Sequence, residues 1–480
     1  MRKKEERTKG LLKLRDNESS ELFGWWGRRR LRRRLWAAVS VAFVVRMAVL
    51  PFLLPEQLDP SREHWRFGYE AGRLASSLAL GKGFHSPLFS DTGPSAWMTP
   101  VYPLILAAIF KLFGVYTKLS AVAALTFNAL VSALTCIPVA LIAYECLGAE
   151  QAAWTAWIWA FFPYAVYFPM ERLWETWLAT LLLAVLGWLV VRRDARFGLG
   201  FWVGYGALWS VAALTSPTLC SVMPFFVGFA LYRLYRKKHK IVVPAVIFAL
   251  VFAVGLVPWT VRNYEKFHHL IPLRDGFGMA LRLGTPGAHA YHWQQNNLGP
   301  WHNDAEWNEF QRLGEYEYMQ REQRLADVAI EQNPAYFIRA SLRRALFLWT
   351  GYWSFDGTYL SEEPMDLPNI PVCTAFTVLA LVGLVKAFRR RRSWAFVFAC
   401  ALVFFPLVFY TTTPEHYYRR PLDALMVVLA VNAFRFGNRD RAKVHVWARA
   451  RTSAGGCGLG ELVSRTASRL HGASELLRGS

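Results

Sequence analysis

Residues 36–54 read WAAVSVAFVVRMAVLPFLL and contain one charged side chain, Arg46. A helix of about 20 predominantly apolar residues crosses a hydrocarbon core about 30 Å thick. The run follows a polar and basic N-terminal segment, and no small-residue cleavage site comes after it. It therefore predicts a retained signal anchor with a cytoplasmic N-terminus, and it places the chain among membrane proteins.

The composition of the whole chain agrees with this first run. Hydrophobic residues make up 54% of the 480 residues and charged residues only 19%, which is too apolar for a typical soluble protein. With the further apolar runs, the sequence predicts an all-α polytopic membrane protein with about ten transmembrane helices. The further runs are 119–145, 151–169, 173–191, 199–215, 218–234, 241–260, 371–388, 394–410 and 421–436.

Charge and cysteine usage exclude several function classes. The 55 basic and 34 acidic residues give a net charge of +21. The basic residues cluster between apolar runs, as in the cytoplasmic loops of multispanning proteins, which argues against a nucleic-acid groove. Six scattered cysteines without a CxxC pair argue against a disulfide framework and a thiolate metal site. The basic clusters are 28–34, Arg192 with Arg193, 233–240 and 389–392.

The same charge rule assigns each loop to one side of the membrane. The apolar piece 101–113 is too short for a full span, and counting it as one would turn the later basic loops outward. We therefore expect it to be a juxtamembrane or re-entrant helix. Both termini are then cytoplasmic, and segments 55–118, 263–370 and 411–420 lie on the outer face.

Five regions follow from this topology. A basic cytoplasmic N-terminal segment precedes a transmembrane module that contains the first outer loop, an outer helical insertion interrupts the spans, and a basic tail without clear periodicity predicts disorder. Their bounds are 1–35, 36–262 with the outer loop 55–118, 263–370, 371–436 for the last transmembrane helices, and 437–480.

The outer insertion has two predicted helices. The first runs from Asp304 to Gln332, with Asn303 as its N-cap and Glu306 at the capping-box position. The second runs from Ala335 to Trp353 and mixes arginines with aromatic and aliphatic residues, which is typical of a helix that lies in the membrane interface.

Glu70 is the most notable carboxylate of the first outer loop. Apolar residues recur at helical spacing around it, from Phe67 to Leu78, so it lies on a predicted short interfacial helix. Burial would raise its pKa and a neighbouring Arg73 would lower it, and either shift suits a general base. A solvated charge paired with Arg73 or Lys82 is the alternative interpretation.

Several short motifs follow in a characteristic order. The outer helix precedes Gly81-Lys82-Gly83-Phe84, then Pro100-Val101-Tyr102-Pro103 and Phe113-Gly114. This order resembles the GT-C membrane glycosyltransferases, specifically the branch of protein O-mannosyltransferases and lipid A aminoarabinose transferases. The resemblance extends loosely over residues 36–436. Later pieces that agree are Trp174-Glu175-Thr176, Thr215-Ser216-Pro217, Pro258-Trp259-Thr260-Val261-Arg262-Asn263 and Tyr417-Tyr418-Arg419-Arg420-Pro421.

The resemblance implies an inverting transfer of a sugar from a polyprenyl-phosphate donor on the outer face. It also implies an acid in the first outer loop, and Glu70 is the matching position. Members of this branch often carry Asp or an Asp-Glu pair at the start of this helix, where the chain has Phe67-Gly68. The role of Glu70 as base, metal ligand or orienting group therefore stays open, as does a divalent metal cofactor.

Departure of a phosphate calls for arginine or lysine near the outer membrane boundary. The candidates for binding the donor phosphate at that boundary are Arg262, Arg274, Arg419 and Arg420. Arg46 is a fifth candidate, because a charge within a span must find a partner, either the donor phosphate, Glu175 or an ordinary ion pair. Glu175 itself, at the outer edge of a span, is a candidate second acid of the site.

Two other function classes remain as alternatives. A transporter or flippase would suit ten spans, but it predicts several mid-span charges and internal repeats, whereas Arg46 is nearly alone within a span and no repeat is visible. An O-antigen-ligase-like enzyme is the other, on the strength of His416 with Arg419. His289, His292 and His302 with Asp304 would make an irregularly spaced metal site, and a solvated polar loop is the favoured interpretation.

The expected partners are a polyprenyl-phosphate sugar, the bilayer and a lipid, glycan or protein acceptor, without nucleic acid. Short outer loops and the lack of an organellar signal favour the cytoplasmic membrane of a bacterium, with the active site on its outer face.

Overall fold

The computed structural model describes residues 32–434 with gaps at 56, 59–66, 89, 193–196, 286–297, 302, 356, 358–359, 361–364 and 413–417. Within these ranges the regular structure is helical, with an isolated bridge between His85 and Pro94. The helices in chain order are α1 (Arg32–Pro55), α2 (Glu70–Ala79), α3 (Val101–Phe113), α4 (Lys118–Leu134), α5 (Cys136–Leu147), α6 (Ala149–Ala160), α7 (Pro163–Glu171), α8 (Thr176–Val191), α9 (Leu199–Thr215), a 3₁₀ segment (Pro217–Ser221), α10 (Met223–Arg236), α11 (Val242–Phe267), α12 (Phe277–Arg282), α13 (Asp304–Leu313), α14 (Glu315–Gln332), α15 (Pro334–Thr350), α16 (Asp366–Arg389), α17 (Trp394–Phe404), α18 (Leu407–Thr411) and α19 (Arg420–Ala433).

Each predicted span coincides with a helix or a pair of consecutive helices, which confirms the all-α polytopic class. By length and composition, five helical stretches of the described residues can cross a membrane, and three shorter apolar helices accompany them. The chain is thus a multi-pass membrane protein. The five stretches are Arg32–Pro55, Lys118–Leu147, Val242–Phe267, Asp366–Arg389 and Trp394–Thr411, and the shorter helices are α3, α8 and α9.

The predicted span 151–169 is broken into α6 and α7. Phe162 precedes Pro163 and takes an extended conformation, because proline disfavours a helical residue before it. The break frees carbonyl groups at the end of α6, and the Arg46 guanidinium donates to the carbonyls of Trp159 and Ala160 at 3.3 and 3.1 Å. A buried arginine of α1 therefore satisfies the end of another helix.

The core of the bundle lies around α8 and α19. Twelve of the fourteen residues of α19 are buried, which is the pattern of a helix surrounded by protein rather than lipid. α19 packs against α16 and α8, and α8 also packs against α5. The lipid-facing helices differ from it, since α11 buries only four of its 26 residues.

The outer insertion departs from its prediction at one point. The predicted helix from Asp304 to Gln332 is two helices, broken at Gly314, whose φ is +77°. The break lets α13 fold back on α14, so that the Tyr318 hydroxyl and Arg321 both donate to the Glu306 carboxylate. The predicted N-cap is present, since Asn303 accepts from the backbone of α13, and Asn333 caps α15 in the same way.

Candidate functional site

A cavity of about 120 Å³ lies between α8, the 3₁₀ segment, α12, α18 and the start of α19. Its charged lining residues are Glu175 and Arg274, and its aromatic ones include Phe277, Phe409 and Tyr418. Ligand pockets for whole small molecules measure roughly 300–1,000 Å³. This cavity therefore admits the reacting end of a substrate rather than an entire lipid-linked sugar.

The cavity lies at the helix ends that are remote from the basic loops. Thr176 begins α8, which ends beside Arg192, and Thr218 precedes α10, which ends at Arg236. Chain order thus separates the cavity from the basic clusters by the full length of the helices.

Glu70 begins α2 immediately after a strained turn. Gly68 has φ of +87°, and a Cβ atom there would lie 2.1 Å from the Leu173 carbonyl oxygen. Tyr69 also has positive φ, at +40°, which is rare for a residue with a side chain. The close approach fixes the start of α2 against the segment that leads into Glu175.

The electrostatics of Glu70 link it to the cavity. The pKa of this partly buried carboxyl is raised to about 7, chiefly by desolvation and to a smaller extent by the negative charge of Glu175, while Arg274 and Arg73 oppose the rise. The Arg73 guanidinium itself lies over the Tyr69 ring, 5.0 Å from its centroid. Glu70, Glu175 and Arg274 are therefore one interacting group of charges.

A buried asparagine, Asn128, holds the chain segment that precedes Glu175. Asn128 of α4 donates to the carbonyls of Pro169 and Arg172, at 3.2 and 3.3 Å, and accepts from the Tyr102 hydroxyl. Tyr102 belongs to the Pro-x-Tyr-Pro motif, so this motif helps to hold the segment that leads into Glu175.

The segment before Arg274 is anchored to the end of α11. The Trp259 indole donates to the Leu273 carbonyl at 2.6 Å, and Asn263 donates to the Ile271 carbonyl at 2.9 Å. Both donors belong to the stretch Pro258–Asn263 that the sequence analysis singled out. Its role in the structure is to position the loop that carries Arg274.

The first outer loop and a later part of the insertion also hold the loop that carries Arg274. Asp275 donates its backbone N–H to the Ala96 carbonyl, and the Glu315 carboxylate accepts from the Ala96 N–H. Burial raises the pKa of Asp275 to about 6, and burial together with the Asp275 charge raises the pKa of Glu315 well above its usual range. These two carboxyl groups were not predicted from the sequence, because neither lies in a motif.

Helices α12 and α14 approach each other closely beside this pair. A Cβ atom at Gly278 would lie 2.2 Å from the Met319 carbonyl oxygen. α12 also supplies Phe277 and Ala280 to the cavity. The insertion therefore sets the position of one cavity wall.

Two predicted phosphate ligands have structural partners instead. Arg46 is fully buried and also donates to Ser132 Oγ at 2.9 Å and to the Ala42 carbonyl. Arg262 donates to the carbonyls of Ser95 and Phe84, and so ties the first outer loop to α11. Neither residue lines the cavity.

Arg419 and Arg420 are fully buried beside Asp423, with Arg420 the first residue of α19 and Arg419 directly before it. Arg420 Nη1 lies 3.2 Å from an Asp423 oxygen and Arg419 Nε lies 3.6 Å from the other. Arg419 also donates to Thr377 Oγ1, and Arg420 lies over the Tyr164 ring. Both arginines flank the cavity through their neighbours Tyr418 and Pro421, and they share the one carboxylate of Asp423.

An aromatic stack at the cavity escaped prediction. The Tyr418 ring lies parallel to Trp174, at 6.2 Å between centroids, and to Phe409, at 4.8 Å. Arg172 lies over the other side of this group, 5.7 Å from the Trp174 centroid. Tyr418 and Phe409 line the cavity, and flat apolar faces of this kind suit the C–H surface of a sugar ring.

The carboxylates of this site do not form a cation cage. Among the described residues, no group of three or more His, Cys, Asp or Glu side chains is placed to hold a metal ion. The predicted histidines His289, His292, His302 and His416 lie outside the described residues, as do Glu56, Asp59 and Glu63.

The fold matches solved membrane enzymes. An archaeal oligosaccharyltransferase, AglB from Archaeoglobus fulgidus in complex with an inhibitory peptide and a dolichol-phosphate, aligns with 94% of this chain at a TM-score of 0.51 and 14% identity. ArnT from Cupriavidus metallidurans, bound to undecaprenyl phosphate, aligns with 83% of this chain and 76% of its own length at a TM-score of 0.34 and 14% identity. No protein-family model and no curated protein sequence matches the chain.

AglB is a GT-C glycosyltransferase, so the resemblance to GT-C enzymes inferred from the sequence is confirmed at the level of the fold. At 14% identity the likeness to AglB shows the fold alone. The chain spans about half of AglB, 54% of its length.

Proposed function

We propose that this protein is a glycosyltransferase that transfers a sugar from a polyprenyl-phosphate donor to an acceptor. The observation that carries the proposal is that Glu175 and Arg274 line one cavity of a GT-C-type fold and that both of their charges act on the pKa of Glu70. The AglB structure contains a dolichol-phosphate, and a lipid-linked donor is the corresponding proposal for this chain.

Glu70 is the proposed general base. A carboxylate whose pKa is about 7 is half deprotonated at neutral pH, and it is a stronger base than an ordinary glutamate. It takes the proton of the acceptor hydroxyl or amine as the acceptor atom forms a bond to the anomeric carbon. The bond between that carbon and the phosphate oxygen breaks, and the electron pair leaves with the polyprenyl phosphate. Displacement from the opposite side inverts the anomeric configuration.

Arg274 is the proposed partner of the departing phosphate. Its side chain is exposed at the cavity, and a guanidinium stabilises negative charge that develops on phosphate oxygens. Glu175, at the N-terminus of α8, is proposed to orient Arg274 and the sugar. Arg46, Arg262, Arg419 and Arg420 have the protein partners described above, and we assign them to positioning the bundle.

We further propose that the reaction takes place on the outer face of a bacterial cytoplasmic membrane. The basic loops mark the cytoplasmic side by the charge rule, and the cavity lies at the opposite helix ends. Both termini are then cytoplasmic. The acceptor, whether lipid, glycan or protein, approaches from the side of the outer insertion.

The experiment is release of polyprenyl phosphate from a panel of polyprenyl-phosphate sugars by the purified protein in liposomes. Glu70→Gln should lower turnover by about 10²–10⁴-fold, the usual contribution of a general base, while the protein stays folded. Arg274→Gln should lower donor use by a comparable factor.

Matched controls come from the outer insertion. Glu317 and Arg324 are exposed. Glu317→Gln and Arg324→Gln remove the same types of charge as the two test variants, and both should release polyprenyl phosphate at the wild-type rate. A Glu70→Gln variant that turns over at the wild-type rate would show that Glu70 is not the general base. Absence of release with every donor, together with movement of lipid across the bilayer, would replace the enzyme by a flippase.

A further inference from the structure

A second cavity opens on the side of the bundle between α10 and α17. Its volume is about 530 Å³, within the range of roughly 300–1,000 Å³ that is usual for ligand sites. From Pro224 to Tyr232 the α10 wall is about 12 Å long, at 1.5 Å per helical residue. We call it the lateral groove. It is lined by Pro224, Phe225, Gly228, Phe229, Tyr232, Ser393 and Phe396.

The lateral groove is apolar and faces away from the protein core. Tyr232 and Phe396 are 53% and 51% exposed at its edges. Gly228 is exposed between them, and a Cβ atom added there would meet no atom within 4 Å. At membrane depth such a surface is covered by hydrocarbon, since it offers water no hydrogen bonds.

One end of the lateral groove is strongly cationic. Ser393 in its wall directly follows four exposed arginines, 389–392. α10 ends at Arg236 and continues into Lys237 and Lys238, which are also exposed. Arginine and lysine clusters at a membrane surface attract anionic lipid head groups, and guanidinium groups bind phosphate oxygens.

We propose that the lateral groove binds an anionic phospholipid. One acyl chain lies along α10 over Gly228, and the head-group phosphate lies beside arginines 389–392. The charge of the groove's end selects an anionic head group, and the apolar wall selects a chain over a soluble phosphate. α10 starts beside Thr218 of the first cavity and runs away from it, so this site is separate from the proposed active site.

The test uses the full-length protein, purified in mild detergent and mixed with vesicles of equal parts phosphatidylglycerol and phosphatidylcholine. Native mass spectrometry then counts the lipids that stay bound. The wild-type protein should retain one phosphatidylglycerol in preference to phosphatidylcholine. Gly228→Phe places a ring in the lateral groove from a position where an added Cβ meets no atom within 4 Å, and it should lower this retention at least tenfold.

Gly204→Phe is the matched control. Gly204 is an exposed glycine of α9, and a Cβ atom there would also meet nothing within 4 Å. This variant should retain phosphatidylglycerol as the wild type does. Equal retention by Gly228→Phe and Gly204→Phe would overturn the proposal, because the bound lipid would then lie elsewhere.

The head-group contact is tested separately with Arg390→Gln and Arg391→Gln. Each should lower the preference for phosphatidylglycerol by roughly fivefold, the effect of one basic residue near an anionic surface, and added salt should weaken the preference as well. Wild-type protein without any head-group preference would overturn the assignment. Stronger retention of a polyprenyl phosphate at equal mole fraction would also overturn it, because that lipid would then occupy the lateral groove. A dimer that only Gly228→Phe dissociates would do the same, because a second copy of the chain would then occupy the groove.

Discussion

At the scale of single residues, Glu70 has two properties of a working base. Its carboxyl is partly buried and is influenced by the charges of Glu175 and Arg274, and its pKa is raised to about 7 chiefly by desolvation. Its position is fixed by the turn at Gly68 and Tyr69, which sets the start of α2. Proton affinity and placement are thus set by different neighbours and are separable by experiment.

The pKa of Glu70 predicts a pH profile. A base acts in its deprotonated form, so kcat/KM for sugar transfer should rise about tenfold per pH unit below pH 7 and level off above it. The measurement is the initial rate of polyprenyl phosphate release between pH 5 and 9. An inflection near pH 4.5 would mean that the carboxyl is solvated, as in the alternative interpretation of Glu70.

The turn before Glu70 predicts the effect of a single methyl group. Gly68→Ala should lower turnover by about 10²-fold, because its Cβ would collide with the Leu173 carbonyl and displace Glu70. Gly81→Ala is the control, since Gly81 has a similar φ of +81° with open space around it. It should cost only the left-handed backbone strain, about 1 kcal/mol of stability, and leave turnover unchanged. Equal losses in both variants would remove the close contact from the explanation.

At the scale of elements, α12 connects the outer insertion to the cavity. It is a single short helix, and it packs on α14 where Gly278 meets Met319. Its N-terminal side carries Asp275 and Arg274, which the Ala96 backbone and the Glu315 carboxylate hold in place. A change in the insertion is therefore transmitted to Arg274 through packing.

Gly278→Ala should lower kcat/KM for the donor by about 10- to 100-fold, since the added methyl group would push α12 away from α14 and shift Arg274. Helical content should stay unchanged in circular dichroism. Gly276→Ala is the control in the same loop, because its Cβ would make an ordinary 3.7 Å contact with Trp97. Normal donor kinetics in Gly278→Ala would mean that α12 does not position the phosphate ligand.

At the scale of the whole molecule, buried charges join the helices of the bundle. Arg46 links α1 to α6, and Arg419 and Arg420 lie with Asp423 where α19 meets α15 and α16. Within the membrane there is no water to satisfy a buried charge or a backbone carbonyl without a hydrogen bond. The contacts of these arginines therefore specify which helices are neighbours.

Asp423→Asn should therefore destabilise the fold by about 3–5 kcal/mol, because it leaves two buried arginines without a counter-charge. The measurement is thermal unfolding in detergent, followed by scanning fluorimetry. Asp327→Asn, at an exposed aspartate, should unfold at the wild-type temperature. Wild-type stability in Asp423→Asn, coupled with loss of donor binding, would return Arg419 and Arg420 to the donor site.

The sequence by itself determined the class of the protein and the position of its helices. Apolar length predicts a span, and period and capping predict α2 and the starts of α13 and α15, because these signals are local along the chain. The resemblance to GT-C glycosyltransferases was visible from the order of short motifs, and the fold agrees with it. The roles of Glu70, Glu175 and the five arginines stay predictions.

Only the tertiary structure decided which of the candidate charges meet. Arg46 finds the carbonyl of Ala160, 114 positions away, and Glu315 finds the backbone of Ala96 across 219 positions. The break at Gly314 likewise serves the contact between α13 and α14. Such contacts depend on how helices pack, and helix packing is a property of complementary surfaces that no local pattern encodes.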